Sequence, residues 1–513
     1  MKRSRLLAAL AAAALLFAPG CAPDRAPGTL RMAVTEFPRS LDPADGYASW
    51  DLMRLGAGEC LTRFDRSMTP QPWLAERWTL SPDRLTWTFH LRPGLRFSNG
   101  KPLTAEAARA SLLRLFGRSV RAHSFFEPAA ITADGLALSI RTTRPAPNLP
   151  GLLADPLFLL IDAEDAGDIR RTGPVTTGPY RLVSASGDVL RLEANPWYHE
   201  GPPPFRRVEA PLVPDPGAAA MTLQTGEADL LPNAGPENLV LFRDTARYHI
   251  SETATLRSVL ARFHAAPGRP LADPRVRAAL IAACDRKTYC EVLLDGSFLP
   301  GGPAVPPSMD CGFEELADPN PYDPARAARL LDEAGWTDTD GDGIRDKDGR
   351  PLALTFLTYP DRPYLPALAE AVQADARAAG IRIDIEVLDY NVLVSRGKEG
   401  TWDLLATSIL TGSTGDPEVY LNRYWKSGEE GNITGWSSAE YDALSDELAS
   451  TFDPARRRAL LVRMQQILLD DAAALVFGYP KSRMVSAARI AGAEITPADY
   501  YWITDQVRPA QES

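Results

Sequence analysis

Residues Leu352 to Leu388 place the tightest constraint on this chain. Leu352–Thr358 reads as a strand and Leu365–Ala379 as a helix. In Ile381–Leu388, Ile381, Ile383, Ile385 and Val387 alternate with Arg382, Asp384 and Glu386. A period of two over that length is a β-strand. A strand–helix–strand unit this short requires a parallel pair joined by a right-handed crossover. The second half of the chain therefore holds an α/β layer.

The first half carries a different signature. From Leu85 to Arg92, Leu85, Trp87, Phe89 and Leu91 take one face, and Thr86, Thr88, His90 and Arg92 the other. That pattern is a half-buried antiparallel strand. Ser81-Pro82-Asp83 before it and Asn99-Gly100 after it are turn residues. Thr104 then offers a helix N-cap, with Glu106 in the first turn of an alanine- and leucine-rich helix. Further elements follow from the same rules: a helix from Trp50 to Leu61, paired strands Tyr180–Val183 and Val189–Ala194, and helices over 440–448 and 456–469. Asp273-Pro274 and Asp323-Pro324 each set a cap and a proline at a helix start. With 513 residues, two domains or more are expected.

Residues 1–21 belong to targeting, not to the fold. Lys2, Arg3 and Arg5 precede the apolar run Leu6–Leu16, and Ala18-Pro19-Gly20 lead to Cys21. That is an export signal, too short to span a membrane, and Gly20-Cys21 is similar to a lipoprotein cleavage site with Cys21 lipidated. Removing it takes three cations and no acid, so the net charge of −11 becomes −14. Such acidity argues against nucleic acid and against a basic membrane-binding surface. Export permits disulfides, and four cysteines remain: Cys60, Cys284, Cys290 and Cys311. A bond within the last three is plausible, although spacing alone selects no pairing.

No catalytic or zinc motif is present, and His90, His123, His199, His249 and His264 are scattered without placed partners. Asp338, Asp340, Asp342 and Asp346 occupy positions 1, 3, 5 and 9 of a calcium-type loop, with Gly343 at 6, so a structural calcium ion is the one cofactor the sequence suggests. Position 12 is Gly349, which offers no carboxylate. Beside Arg118, Arg121 could clamp a carboxylate through its guanidinium fork.

Several segments together resemble a known family: WLAERW with TWTFHLRPGLRFSNGKPLTAE, then TGPYRL, LQTGEADLL, DPRVRAALIAACDRKTY, YDPARAARLLDEAGW and GDPEVYL. In this order, from about Leu30 to Val507, they are similar to the oligopeptide-, dipeptide- and nickel-type solute-binding proteins of bacterial ABC importers. The resemblance implies an α/β, two-lobe periplasmic binding protein of the large type II cluster, with mixed sheets and ligand held between lobes. It implies lobe I over 29–264 plus 476–513, with a strand-rich subdomain near 65–200, and lobe II over 265–475. It also implies a monomeric periplasmic or cell-surface receptor, not an enzyme, that delivers cargo to a permease pair driven by cytoplasmic ATPases. The cargo expected is a short peptide or amino-acid conjugate, with chelated nickel as the alternative. A secreted hydrolase or an envelope chaperone is the reading from another class.

The resemblance also implies ligand contacts at Thr411, Gly412, Ser413, Thr414 and Asp416, and at Tyr47, Trp50 and Asp51. Peptide-binding members carry an aspartate, pairing with the peptide α-amino group, where this chain has Ser413. Nickel-binding members have tryptophan and tyrosine where it has Thr411 and Gly415. A basic residue expected near Asp155-Pro156 is also missing. Trp402, Tyr424, Trp425 and Trp436 read as core or lobe surface.

Overall fold

A computed structural model describes residues 28–165 and 167–511. The export signal and Cys21 lie outside the described residues. Three main sheets carry the fold. In the first, Thr29–Arg31 runs parallel to Arg207–Pro211, which continues through the hairpin of Val189–Ala194 and Tyr180–Ser186. The second is antiparallel, in the order Ala75–Leu80, Thr86–Leu91, Ala137–Thr142, Pro128–Asp134. Trp87, Phe89 and Leu91 bury their face against Ala108, Leu112 and Leu115 of helix Ala105–Arg118. The Thr104 hydroxyl accepts the Ala107 N–H at 3.1 Å, as its cap position requires.

The third sheet has eight strands. Ala353–Thr358 and Arg382–Val387 pair in parallel across helix Tyr364–Ala378, so the crossover unit is present as read. Leu404–Leu410 extends the sheet to Arg257–Phe263 and then to Ala474–Ala487. This last strand is 14 residues long and pairs with four others, two of them long. Its first part pairs with Arg257–Phe263, and Lys481 to Ala487 pair with Tyr248–Ala254. Two antiparallel stretches thus run from one body of the molecule to the other: 248–263, made of Tyr248–Ala254 and Arg257–Phe263, and the single strand Ala474–Ala487. Val259, Ala261 and Phe263 share a core with Leu475, Phe477 and the crossover unit.

Some expectations shift. The helix expected over Trp50–Leu61 spans Ala48–Arg54 instead. Gly56 N–H donates to Met53 O and Ala57 N–H to Leu52 O, closing the helix and turning the chain. No disulfide joins the cysteines: Cys60, Cys284, Cys290 and Cys311 are all buried free thiols. Cys284 and Cys290 sit in the crossover core while Cys311 packs in a different cluster, and the Cys290 thiol is turned toward Phe477 O. Among the described residues no helix is long and apolar enough to cross a membrane.

Candidate ligand cleft

The loop after strand Leu404–Leu410 is held from several sides. Thr411 donates its N–H and its hydroxyl to Leu256 O, at 2.8 and 2.9 Å, which ties the loop to the long strand pair. Gly415 N–H closes a turn on Gly412 O at 3.0 Å. The carbonyls of Ser413 and Thr414 face the first body and accept from Tyr500 Oη at 3.0 Å and Asn148 Nδ2 at 2.9 Å. Asp416 caps helix Glu418–Trp425 by accepting Glu418 N–H at 2.8 Å. Its other oxygen accepts from Arg457 Nε at 3.1 Å and Nη2 at 2.6 Å, and Arg457 also bridges to Glu418 at 2.8 Å. Both oxygens of the Asp416 carboxylate are therefore engaged by the scaffold.

This loop borders a cavity of 580 Å³. Thr411, Gly412, Ser413, Thr414 and Asp416 all line it, together with Ser124, Phe125 and Leu152 from the first body. Four tyrosines, Tyr359, Tyr390, Tyr420 and Tyr424, also line it. None of the five histidines lines it.

Sequence reasoning missed the charged group at the floor of this cavity, Arg262, which is 5 % exposed. Its Nη1 donates to Gly431 O at 3.0 Å, its guanidinium lies 5.2 Å from the Tyr424 ring, and its Nε has no acceptor. No signal in the sequence separates it from the arginines around it.

The other expected contacts lie elsewhere. Tyr47, Trp50 and Arg121 form a stack on the first body, with the Arg121 guanidinium 4.7 Å over Tyr47, 5.7 Å over Phe125 and 6.0 Å over Trp50. Arg121 is held by Gly46 O at 3.2 Å and by buried Asp155 at 3.6 Å. None of the three lines the cavity, although Phe125, under Arg121, does. Trp402 and Trp425 are core, as read, whereas Tyr424 is cavity wall.

Asp51 is turned away, into a separate 50 Å³ pocket with Glu36, Arg54 and Trp502. Burial, opposed by Arg54 and reinforced by Glu36, raises its carboxyl from 3.8 to about 6. The folded protein then holds the Asp51 proton more tightly than the unfolded chain, so this group makes stability fall as pH rises from about 4 to 6. Asp51→Asn is expected to flatten that dependence and to raise stability at pH 7 by up to about 3 kcal/mol, at roughly 1.4 kcal/mol per pKa unit. Thermal melts at pH 4, 5, 6 and 7 measure it; parallel wild-type and variant curves would exclude the effect.

In the acidic loop, Asp338, Asp340 and Asp346 bring one oxygen each within 4.8 Å of one another. Asp342 does not join them and accepts Ile344 N–H at 2.7 Å.

A model of bacterial extracellular solute-binding proteins, family 5 Middle, matches residues 69–432. The chain is 27 % identical to the nickel-binding periplasmic protein of Escherichia coli (strain K12), over 88 % of this chain and 89 % of that protein. It is also 27 % identical to di/tripeptide-binding protein 2 of Pseudomonas aeruginosa (strain UCBPP-PA14), over 94 % and 95 %. The crystal structure of a nickel ABC transporter from Bacillus halodurans superposes with a TM-score of 0.84 at 27 % identity, covering 94 % of this chain and 99 % of that one. These matches define a periplasmic-binding-protein fold and an ABC-transporter solute-binding class. The chain belongs to the family 5 bacterial extracellular solute-binding proteins, and as such is a receptor and not an enzyme.

Proposed function

We propose that this receptor captures a short peptide or related amino-acid conjugate outside the cytoplasmic membrane and hands it to a permease pair. The observation that carries this reading is the 580 Å³ cavity between the 411–416 loop and the Phe125–Leu152 wall. That volume suits a small organic solute, and its mix of aromatic rings with a few polar groups suits a peptide-like one. Similarity to a di/tripeptide-binding relative supports it. Chelated nickel, suggested by two other relatives, is the second reading. The lack of a histidine in the cavity lining weighs against a nickel ion held directly by imidazole.

In this proposal the chain works as a monomer of two lobes. The long stretches 248–263 and 474–487 form the hinge, absorbing closure through small dihedral changes. Because Phe263 and Leu475 pack with the crossover core, we place the lobe division near Thr255 and Pro480, inside the strands, in place of 264 and 476. Cys21 would tether the receptor to the membrane, with the cytoplasmic ATPases acting through the permease.

Native mass spectrometry of protein purified without unfolding, followed by calorimetry with short peptides, tests the reading. One co-purified cargo, displaced in one-to-one fashion by peptides, is expected. Binding of nickel–histidine chelate with no response to any peptide would overturn it, as would peptide turnover. In the same preparation, Cys21→Ser should move the receptor to the soluble fraction; unchanged partitioning would exclude the anchor.

A further inference from the structure

Arg262 lies next to the C-terminal end of strand Arg257–Phe263, opposite Leu405 and Ala474 on its two neighbours. It makes no ion pair among the described residues. One of its five N–H donors meets Gly431 O, and Nε meets nothing. A buried guanidinium left this way is strongly unfavourable unless a partner neutralises it. The carboxylates on the same cavity wall do not serve. Asp416 is held by Arg457 at 2.6 Å, and Glu430, at the exposed rim, is held by Lys398 at 3.0 Å. The cavity thus presents unpaired cation, from Arg262 and from the exposed Arg423, and no unpaired carboxylate.

We infer that Arg262 is the specificity-determining anchor for a ligand carboxylate, and that the cargo is an acid whose other end carries no ammonium, such as an N-acylated amino acid or an amine-blocked short peptide. The guanidinium fork matches a carboxylate with two N–H donors. The far end of the ligand meets Phe125, Leu152, Tyr359 and Tyr390, surfaces that favour an acyl or aromatic body. A free α-ammonium placed there would lose its hydration and gain no counter-charge. The inference rests on the peptide-like reading for its choice of probes, but the state of Arg262 itself does not depend on it.

The test uses the full mature chain, freed of cargo, and three matched probes: N-acetyl-leucyl-phenylalanine, its C-terminal amide, and the dipeptide with a free amine. The acetylated acid is expected to bind at least about tenfold more tightly than the amide, the contribution of charge-assisted hydrogen bonds, and no more weakly than the free amine. Arg262→Gln should remove the preference for acid over amide, and Arg262→Lys should retain part of it. Equal binding of acid and amide would overturn the assignment. So would tenfold tighter binding of the free-amine dipeptide.

A measurement without peptide separates this inference from the reading it builds on. Removing an unpaired buried cation should raise the melting temperature of the cargo-free protein in Arg262→Met, and acetate at matched ionic strength should stabilise wild type but not the variant. If those shifts appear while none of the three probes binds, the carboxylate anchor stands and the peptide-like cargo falls. If Arg262→Met melts lower and acetate has no effect, Arg262 is a scaffold residue held through Gly431 and the inference is wrong.

Discussion

Replacing Arg457 with methionine is expected to destabilise the protein by about 3–5 kcal/mol at neutral pH, the usual consequence of removing one partner from a buried ionic cluster. Arg457 is buried on helix Pro454–Asp470 and uses every branch of its guanidinium. It donates to Asp416 and Glu418 and, through Nη1, to the Leu448 and Thr451 carbonyls at 2.7 and 2.9 Å. Burial already raises the Glu418 carboxyl, the Asp416 charge raises it further, and Arg457 is the main opposing influence. Without Arg457 the Glu418 carboxyl would hold its proton still more tightly in the folded state than in the unfolded chain. The stability of the variant must then fall as pH rises through that range, so its deficit should narrow between pH 7.5 and 5. Urea unfolding at the two pH values measures it. Cargo affinity should fall as well, because Asp416 closes the 411–416 loop. Arg457→Lys keeps the charge but not the fork and should recover only part of the loss. A deficit under about 1 kcal/mol, unchanged with pH, would mean that the cluster is solvated and matters little.

What the sequence disclosed, and what it hid, follows from how each segment meets solvent. Thr86–Leu91 shows water on one face and core on the other, so its period of two is visible in the residues. Arg257–Phe263 is covered on both faces, with every position from Ser258 onward buried, and a strand of that kind has no alternation to read. Arg262 is for that reason the least legible residue of the site: an arginine in an apolar run reads as an edge or a surface position. Helix Tyr390–Glu399 fails in the opposite way. Tyr390, Val392 and Val394 are all exposed, Tyr390 and Val394 on the cavity lining, so its apolar positions do not mark a buried stripe. The resemblance groups Asp51 with Trp50, yet successive residues on helix Ala48–Arg54 point about 100° apart. Trp50 turns to Tyr500, at 4.9 Å between rings, while Asp51 turns to the pocket of Arg54 and Trp502. The 411–416 loop was found through resemblance, but its Thr411 hydroxyl, its Ser413 and Thr414 carbonyls and its Asp416 carboxylate are engaged by the scaffold. Its contribution to the cleft is shape and backbone, and the open charge comes from Arg262 on the neighbouring strand.

That shape depends on Gly415, and Gly415→Ala is expected to destabilise the protein by about 2–4 kcal/mol and to weaken cargo binding. Two effects add. The residue sits at φ +72°, where an L side chain costs about 1–2 kcal/mol. A Cβ there would also collide with the Met68 carbonyl oxygen and come within 2.7 Å of Phe64 Cε1. Neither neighbour can yield easily. Met68 is itself left-handed at φ +65° and buried, and Phe64 packs in the same core. The loop would have to lift from the first body, straining the bonds from Tyr500 to Ser413 O and from Asn148 to Thr414 O that orient the cavity wall. Gly428 separates the two effects, since it has φ +80° with nothing within 4 Å of its Cβ position. Gly428→Ala should therefore show the dihedral cost alone, about 1 kcal/mol, with cargo affinity unchanged. If the two alanine variants melt together and bind cargo alike, the loop is free of the first body. The close approach at Met68 would then not be what holds the cleft in register.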